Sequence, residues 1–379
     1  MRERTNSSHV HMYRIDLLRI LAMFYVIILH TLGHGGVVAA SARGSHQYMI
    51  ACALEIWAYC AVDLFALISG YVSFRDTFTL PGPGTQFKKY LRLWLEVLFY
   101  ALIPTLAIAI FVPGSVTTKE ILSCLFPVTT GQYWYFSAYT GLFLLMPVLN
   151  AALSILPVPY LKWLIGMTLV IFSAYGSSMG RFTLSGGYSV IWLILLYLCG
   201  GAVRKIRLES SKENAAGRSK KTEGPGAFIL YVSLLILCAA AAWLWLIKDC
   251  HFSFFDAEVK RTAMMSYTAF TVTAAALLHL LLFTHREEPD NKKPAPKERL
   301  VRTLLRAGGK SSFAVYLLNT QPALWKLTKD QFTYLAAAHT WTIVIHTLGY
   351  AALFLIAAVL VDQLRLRVWH ACLRMLKRT

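Results

Sequence analysis

Apolar residues run along this chain in long blocks that show neither the alternation of a half-buried strand nor the narrow stripe of a surface helix. In order, the blocks predict ten helices, near 14–34, 47–73, 90–112, 134–156, 160–178, 187–204, 226–247, 262–284, 312–328 and 340–364. Each is long enough to cross a hydrocarbon layer about 30 Å thick. The pattern therefore predicts an all-α, polytopic membrane bundle of about ten transmembrane helices. It forms one domain over residues 1–379, with 1–13 and 366–379 as tails and 205–225 and 285–309 as connecting loops.

Composition and charge sharpen this picture. With 57% hydrophobic and 15% charged residues the chain is too apolar for a water-soluble protein of 379 residues. Most Lys and Arg fall at the start, in the 74–92, 204–221 and 286–310 stretches and in the tail. The positive-inside rule assigns these to the cytoplasm, so both termini are expected there. A net charge of +18 spread over loops beside anionic lipid gives no ground for nucleic-acid binding. The first block resembles a signal peptide ending at Ala40-Ser41-Ala42, but it is longer than an ordinary signal core and contains Arg19, so it is expected to be retained.

Charged residues inside that first helix are the best candidates for chemistry. Asp16, Arg19 and His30 interrupt an otherwise lipid-soluble run. Ionisable groups there need an internal cavity or one another. Arg19 and His30 are eleven positions apart, close to three turns, which puts them on one face at depths about 16 Å apart. Asp16 precedes Arg19 by three positions, within pairing reach. The bland alternative is that Arg14 and Arg19 anchor the helix in the headgroups while His30 ends it.

Asp16-x-x-Arg19 followed by His30 resembles the acyltransferase-3 family of integral-membrane acyltransferases, whose first helix typically reads D-x-x-R and then His. Further stretches carry the same resemblance. Val62-Asp63-Leu64-Phe65 leading to Ser69-Gly70-Tyr71 is similar to the family's V-D-x-F-F-x-x-S-G-Y, with Ala66 in place of the second Phe. Lys89 and Arg92 stand where the family has an R-x-x-R-type basic segment. Trp134-Tyr135, then Gly141 through Pro147, is similar to its W-Y and G-L-Y-L-L-x-P pattern. The piece around Tyr316-Leu317-Leu318-Asn319 ends with Asn where many members have His. Asn hydrogen-bonds but does not titrate.

The resemblance implies a multi-pass protein of the cell membrane that moves an acyl group, most often acetyl, from acyl-CoA to a hydroxyl of a cell-surface carbohydrate or lipid-linked glycan. His30 is then expected to act on the acyl group, with Arg19 and Asp16 beside it. Lys89 and Arg92 are expected to hold the phosphates of coenzyme A, with Glu96 orienting Arg92. Ser69, Trp134, Tyr135 and Asn319 are candidate substrate contacts, and Arg181 a candidate sugar contact. Plain alternatives remain open: helix packing for Ser69-Gly70, membrane anchoring for Lys89 and Arg92, interfacial aromatics for Trp134 and Tyr135. A non-catalytic transporter of a small solute such as an amino acid is the competing class.

No metal is expected, because His30 and His34 have no evident third ligand. Gly308-Gly309-Lys310-Ser311, read as the opening of the ninth helix, lacks the spacing of a phosphate-binding loop. Among seven cysteines only Cys124 and Cys250 fall in outer loops, where a disulfide is permitted. Homodimerisation is open.

Overall fold

A computed structural model describes residues 11–75, 80–176, 182–216, 224–250, 252–254, 257–259, 261–285 and 295–376. Arg181 lies outside them. The helices are α1 (Tyr13–Leu29), which continues as a π turn over His30–His34, α2 (Val37–Ala40), α3 (His46–Ala58), α4 (Ala61–Ser73), α5 (Pro83–Phe111), α6 (Thr118–Ser123) and α7 (Trp134–Ile155). There follow α8 (Val158–Met167), α9 (Val190–Ala215), α10 (Pro225–Ile247), α11 (Phe270–Thr284), α12 (Pro296–Asn319), α13 (Pro322–Thr328) and α14 (Thr340–Leu376).

Seven stretches among the described residues are long and apolar enough to cross a membrane: Tyr13–Ala40, His46–Ser73, Pro83–Phe111, Trp134–Ile155, Val158–Tyr175, Gly226–Ile247 and Thr340–Cys372. Three of the ten expected helices fall outside this set for separate reasons. The apolar part of α9 ends at Arg204, Lys205 and Arg207. α11 is apolar but has only 15 residues. The expected helix at 312–328 is broken at Pro322, where Gln321 accepts a hydrogen bond from Leu324 N at 2.8 Å and caps the new helix α13.

α12 begins at Pro296, far ahead of the expected opening at Gly308, because its first turns are charged and amphipathic. α9 likewise continues to Ala215, into the stretch read as a loop. One departure from an all-α fold is a hairpin in which Phe252–Phe254 pairs antiparallel with Ala257–Val259. Cys124 and Cys250 are free thiols; Cys124 is buried and its thiol bonds to the Ala101 carbonyl at 3.4 Å.

The first helix sits in the middle of the bundle. Ile15, Leu18, Ala22, Met23 and Ile27 of α1 are essentially inaccessible, and α1 packs on α12, α4 and α14. Glycine permits the closest approaches. A Cβ on Gly309 would lie 2.6 Å from Asp16 atoms, and one on Gly70 only 1.9 Å from the Tyr197 carbonyl oxygen of α9. Without a water-driven hydrophobic effect between helices, such backbone proximity supplies the packing energy. Lys205 is buried and donates to the carbonyls of Leu153, Ser154 and Leu156 at 3.1, 2.8 and 2.8 Å. It thereby closes the C-terminus of α7 with a cation, where the helix dipole favours one.

Candidate functional site

α1 delivers the three charged residues to one region, as its spacing predicts. Asp16 is buried and accepts from Arg19 Nη1 at 3.1 Å and from His11 Nε2 at 2.5 Å. A carboxylate removed from water has its charge offset by these partners. Arg19, held at its near end, reaches a cavity of about 350 Å³, and His30 lines the same cavity. Ser69, Trp134 and Tyr135 line it as well, so five of the residues singled out in the sequence converge.

The helix widens where His30 sits. Gly35 N donates to the His30 carbonyl at 2.8 Å, five residues back, which makes the turn π. The widened turn carries His30 to the end of α12, where its Nδ1 bonds to Asn319 Oδ1. That oxygen only accepts, so Nδ1 carries the proton and Nε2 keeps a free lone pair. Trp325 of α13 meets the His30 ring edge-on at 4.6 Å and stacks on His34 at 3.7 Å. His34 Nε2 donates to the Trp325 carbonyl at 2.7 Å, so its ring is committed to the protein.

Several cavity residues were not singled out as site residues in the sequence. Tyr139 lines the wall and hydrogen-bonds Ser69 in the field of Arg19. Tyr267 and Tyr316 line it too, and Trp134 stacks on Tyr267 at 5.9 Å. The Tyr135 hydroxyl is buried with no hydrogen-bond partner. Lys310 is exposed at the cavity rim. Its neighbours Gly308 and Gly309 press on Ile20 and Asp16, so this glycine pair serves close helix approach.

Lys89 and Arg92 do not enter the cavity; both are exposed on α5. Glu96 lines the cavity, but its ion pair is with Arg365 of α14 at 2.9 Å, which replaces the expected orientation of Arg92. Arg365 also meets Asp362 at 2.7 Å, and the Tyr100 hydroxyl donates to Asp362 at 2.7 Å. Asp63 is fully buried and accepts from Trp192 Nε1 at 3.0 Å, a helix-bridging bond between α4 and α9.

The arrangement can do acid–base chemistry. It offers an imidazole with a defined free nitrogen, a guanidinium in the same chamber, a second cation at the rim and hydroxyl donors in the wall. Among the described residues no group of three His, Cys, Asp or Glu side chains is placed to hold a metal. No curated protein and no solved structure matches the chain. The sequence profile of the acyltransferase-3 family, described as an acyltransferase domain, matches residues 12–372. With the profile spanning nearly the whole helical bundle, and with Arg19, paired to Asp16, and His30 lining one cavity, the chain belongs to the acyltransferase-3 family of membrane acyltransferases.

Proposed function

We propose that this protein, working in the cell membrane as a multi-pass enzyme, transfers an acyl group, acetyl in the simplest case, from acyl-CoA to a hydroxyl of a cell-surface or envelope carbohydrate or of a lipid-linked glycan. The observation that carries this reading is His30, held through Nδ1 by Asn319, lining the same cavity as Arg19. His30 accepts the acceptor's hydroxyl proton as that oxygen attacks the thioester carbonyl carbon. The carbon–sulfur bond then breaks, and the imidazolium returns the proton to the departing thiolate. Arg19 is placed to balance negative charge on an anionic part of the donor, and Asp16 holds its position.

Donor and acceptor divide along the length of the cavity. Arg19 and Lys310 supply cations at one end for the phosphates of coenzyme A. Lys89 and Arg92, exposed on α5, serve in this reading as an approach surface outside the cavity. At the other end Trp134 and Tyr267 present stacked rings to the acceptor.

The test is incubation of the purified protein with radiolabelled acetyl-CoA and cell-envelope glycans. Label is expected in the glycan with the parent protein and absent with His30→Ala at equal membrane abundance. Full transfer by His30→Ala would remove the histidine from the reaction. No transfer by the parent, together with uptake of a small solute into proteoliposomes, would favour the transporter class.

A further inference from the structure

His30 borders a second cavity, of about 210 Å³, and among the described residues it is the one side chain lining both. A space of that size is more than ten times the roughly 10–15 Å³ that a single water occupies by the same measure. Its apolar wall is made by Leu318, Leu324, Trp325, Phe332, Tyr350 and Phe354. Most of the polar side chains beside them are already used within the protein, and the Tyr350 hydroxyl, the Trp325 indole N–H and the Asn319 amide N–H groups are the few donors left in the lining. Thr31 donates to the Ile27 carbonyl at 2.8 Å, His34 to Trp325 at 2.7 Å and Thr328 to Leu324 at 3.0 Å, while Asn319 holds His30.

This chemistry selects an occupant. A sugar entering the chamber would meet a mostly carbon wall with few donors for its many hydroxyls, which costs free energy for each hydroxyl left unmet. A hydrocarbon chain has no such requirement and gains from burial. Connectivity points the same way. For transfer, the thioester carbonyl must lie at His30, and the sulfur side leads into the cavity of Arg19 and Lys310. The remaining substituent of that carbonyl is the acyl chain, and this chamber is the other space that the imidazole borders.

We propose that the chamber receives the hydrocarbon tail of the transferred acyl group, so that donors with a chain several carbons longer than acetyl are bound and used in preference to acetyl-CoA. The proposal rests on the acyl-CoA reading given above and specifies its acyl group.

Binding of inert thioethers separates the two claims without needing the acceptor. Coenzyme A and its S-ethyl, S-butyl and S-hexyl derivatives are titrated calorimetrically into the full-length protein in lipid nanodiscs. Each carbon that enters the chamber should tighten binding about fourfold, the ratio equivalent to roughly 0.8 kcal/mol per buried CH2. In Leu318→Trp, which fills the chamber, coenzyme A should bind as it does to the parent while the gain with chain length disappears. Leu324→Phe is the second variant if Leu318→Trp does not fold. Binding of coenzyme A with no gain from the alkyl chain, or a gain that survives both substitutions, overturns the chamber assignment. Failure of coenzyme A itself to bind the parent overturns the donor reading first.

Discussion

At the scale of single residues, Arg19 separates a working site from a membrane anchor. An anchoring arginine needs only a long cation that reaches the headgroups, and lysine supplies that. Here the guanidinium donates to Asp16 at 3.1 Å and faces the cavity of His30. A planar fork can serve both directions at once, whereas an ammonium on a flexible stem keeps the charge and loses the geometry. Charged hydrogen bonds contribute about 1.5–3 kcal/mol, so Arg19→Lys should insert normally and transfer acyl groups roughly ten- to a hundred-and-fifty-fold more slowly. Transfer within about twofold of the parent would return Arg19 to anchoring. Asp16, Arg19 and His30 were legible in the sequence because helical periodicity alone aligns them. The partner of His30 was not, since Asn319 is 289 positions away and only folding brings it near. The π turn was equally hidden, because nothing in His30-Thr31-Leu32-Gly33-His34 distinguishes a five-residue hydrogen bond from a four-residue one.

Among the elements, apolar runs located the helices well and failed at charged boundaries. The Lys, Glu and Arg residues from 297 to 306 read as a loop, yet they belong to α12, where Arg302 pairs with Glu298 and lies 5.2 Å over the Tyr13 ring of α1. Hydropathy does not register a helix that leaves the apolar layer and remains ordered by packing. The small residues of α4 tell a more local story. Ser69 lines the cavity, while its neighbour Gly70 meets the backbone of α9. An alanine Cβ at 70 would lie 1.9 Å from the Tyr197 oxygen and 2.7 Å from its carbonyl carbon, neither of which can rotate away. Gly70→Ala should therefore force α4 and α9 apart at a cost of about 1–3 kcal/mol or more. Gly84→Ala meets nothing within 4 Å and should stay within about 0.5 kcal/mol of the parent. Thermal unfolding in detergent compares them. Equal melting temperatures would mean that α4 and α9 are less tightly apposed than described.

The whole molecule poses a question of parity. Seven stretches qualify as spans by length and composition, and an odd number of crossings would put the two termini on opposite sides of the membrane. The packing argues for an even number. Arg19, near the start of α1, lines the same cavity as Glu96, and Glu96 pairs with Arg365, near the end of α14. The entry of the first helix and the exit of the last thus lie at one end of the bundle. If α9, α11 and α12 with α13 supply three further crossings, the total is the ten expected from the sequence, and this is the arrangement to be tested. The cations of α9 are no obstacle to a crossing, because Lys205 is spent on α7 carbonyls, Arg204 on the Tyr71 hydroxyl at 3.1 Å and Arg207 on the Leu281 carbonyl at 3.1 Å. Two cysteines can report the result. Cys372 is exposed near the end of α14, and Cys250 follows α10, three crossings earlier. A membrane-impermeant maleimide should label Cys250 in intact cells and Cys372 only in inverted vesicles, with Cys250→Ser and Cys372→Ser assigning each signal. A protease-accessible tag on the N-terminus should behave as Cys372 does. Labelling of Cys250 and Cys372 from the same side would remove α11, or α12 with α13, as a crossing and place the termini apart, and the basic loops would then no longer share one face of the membrane.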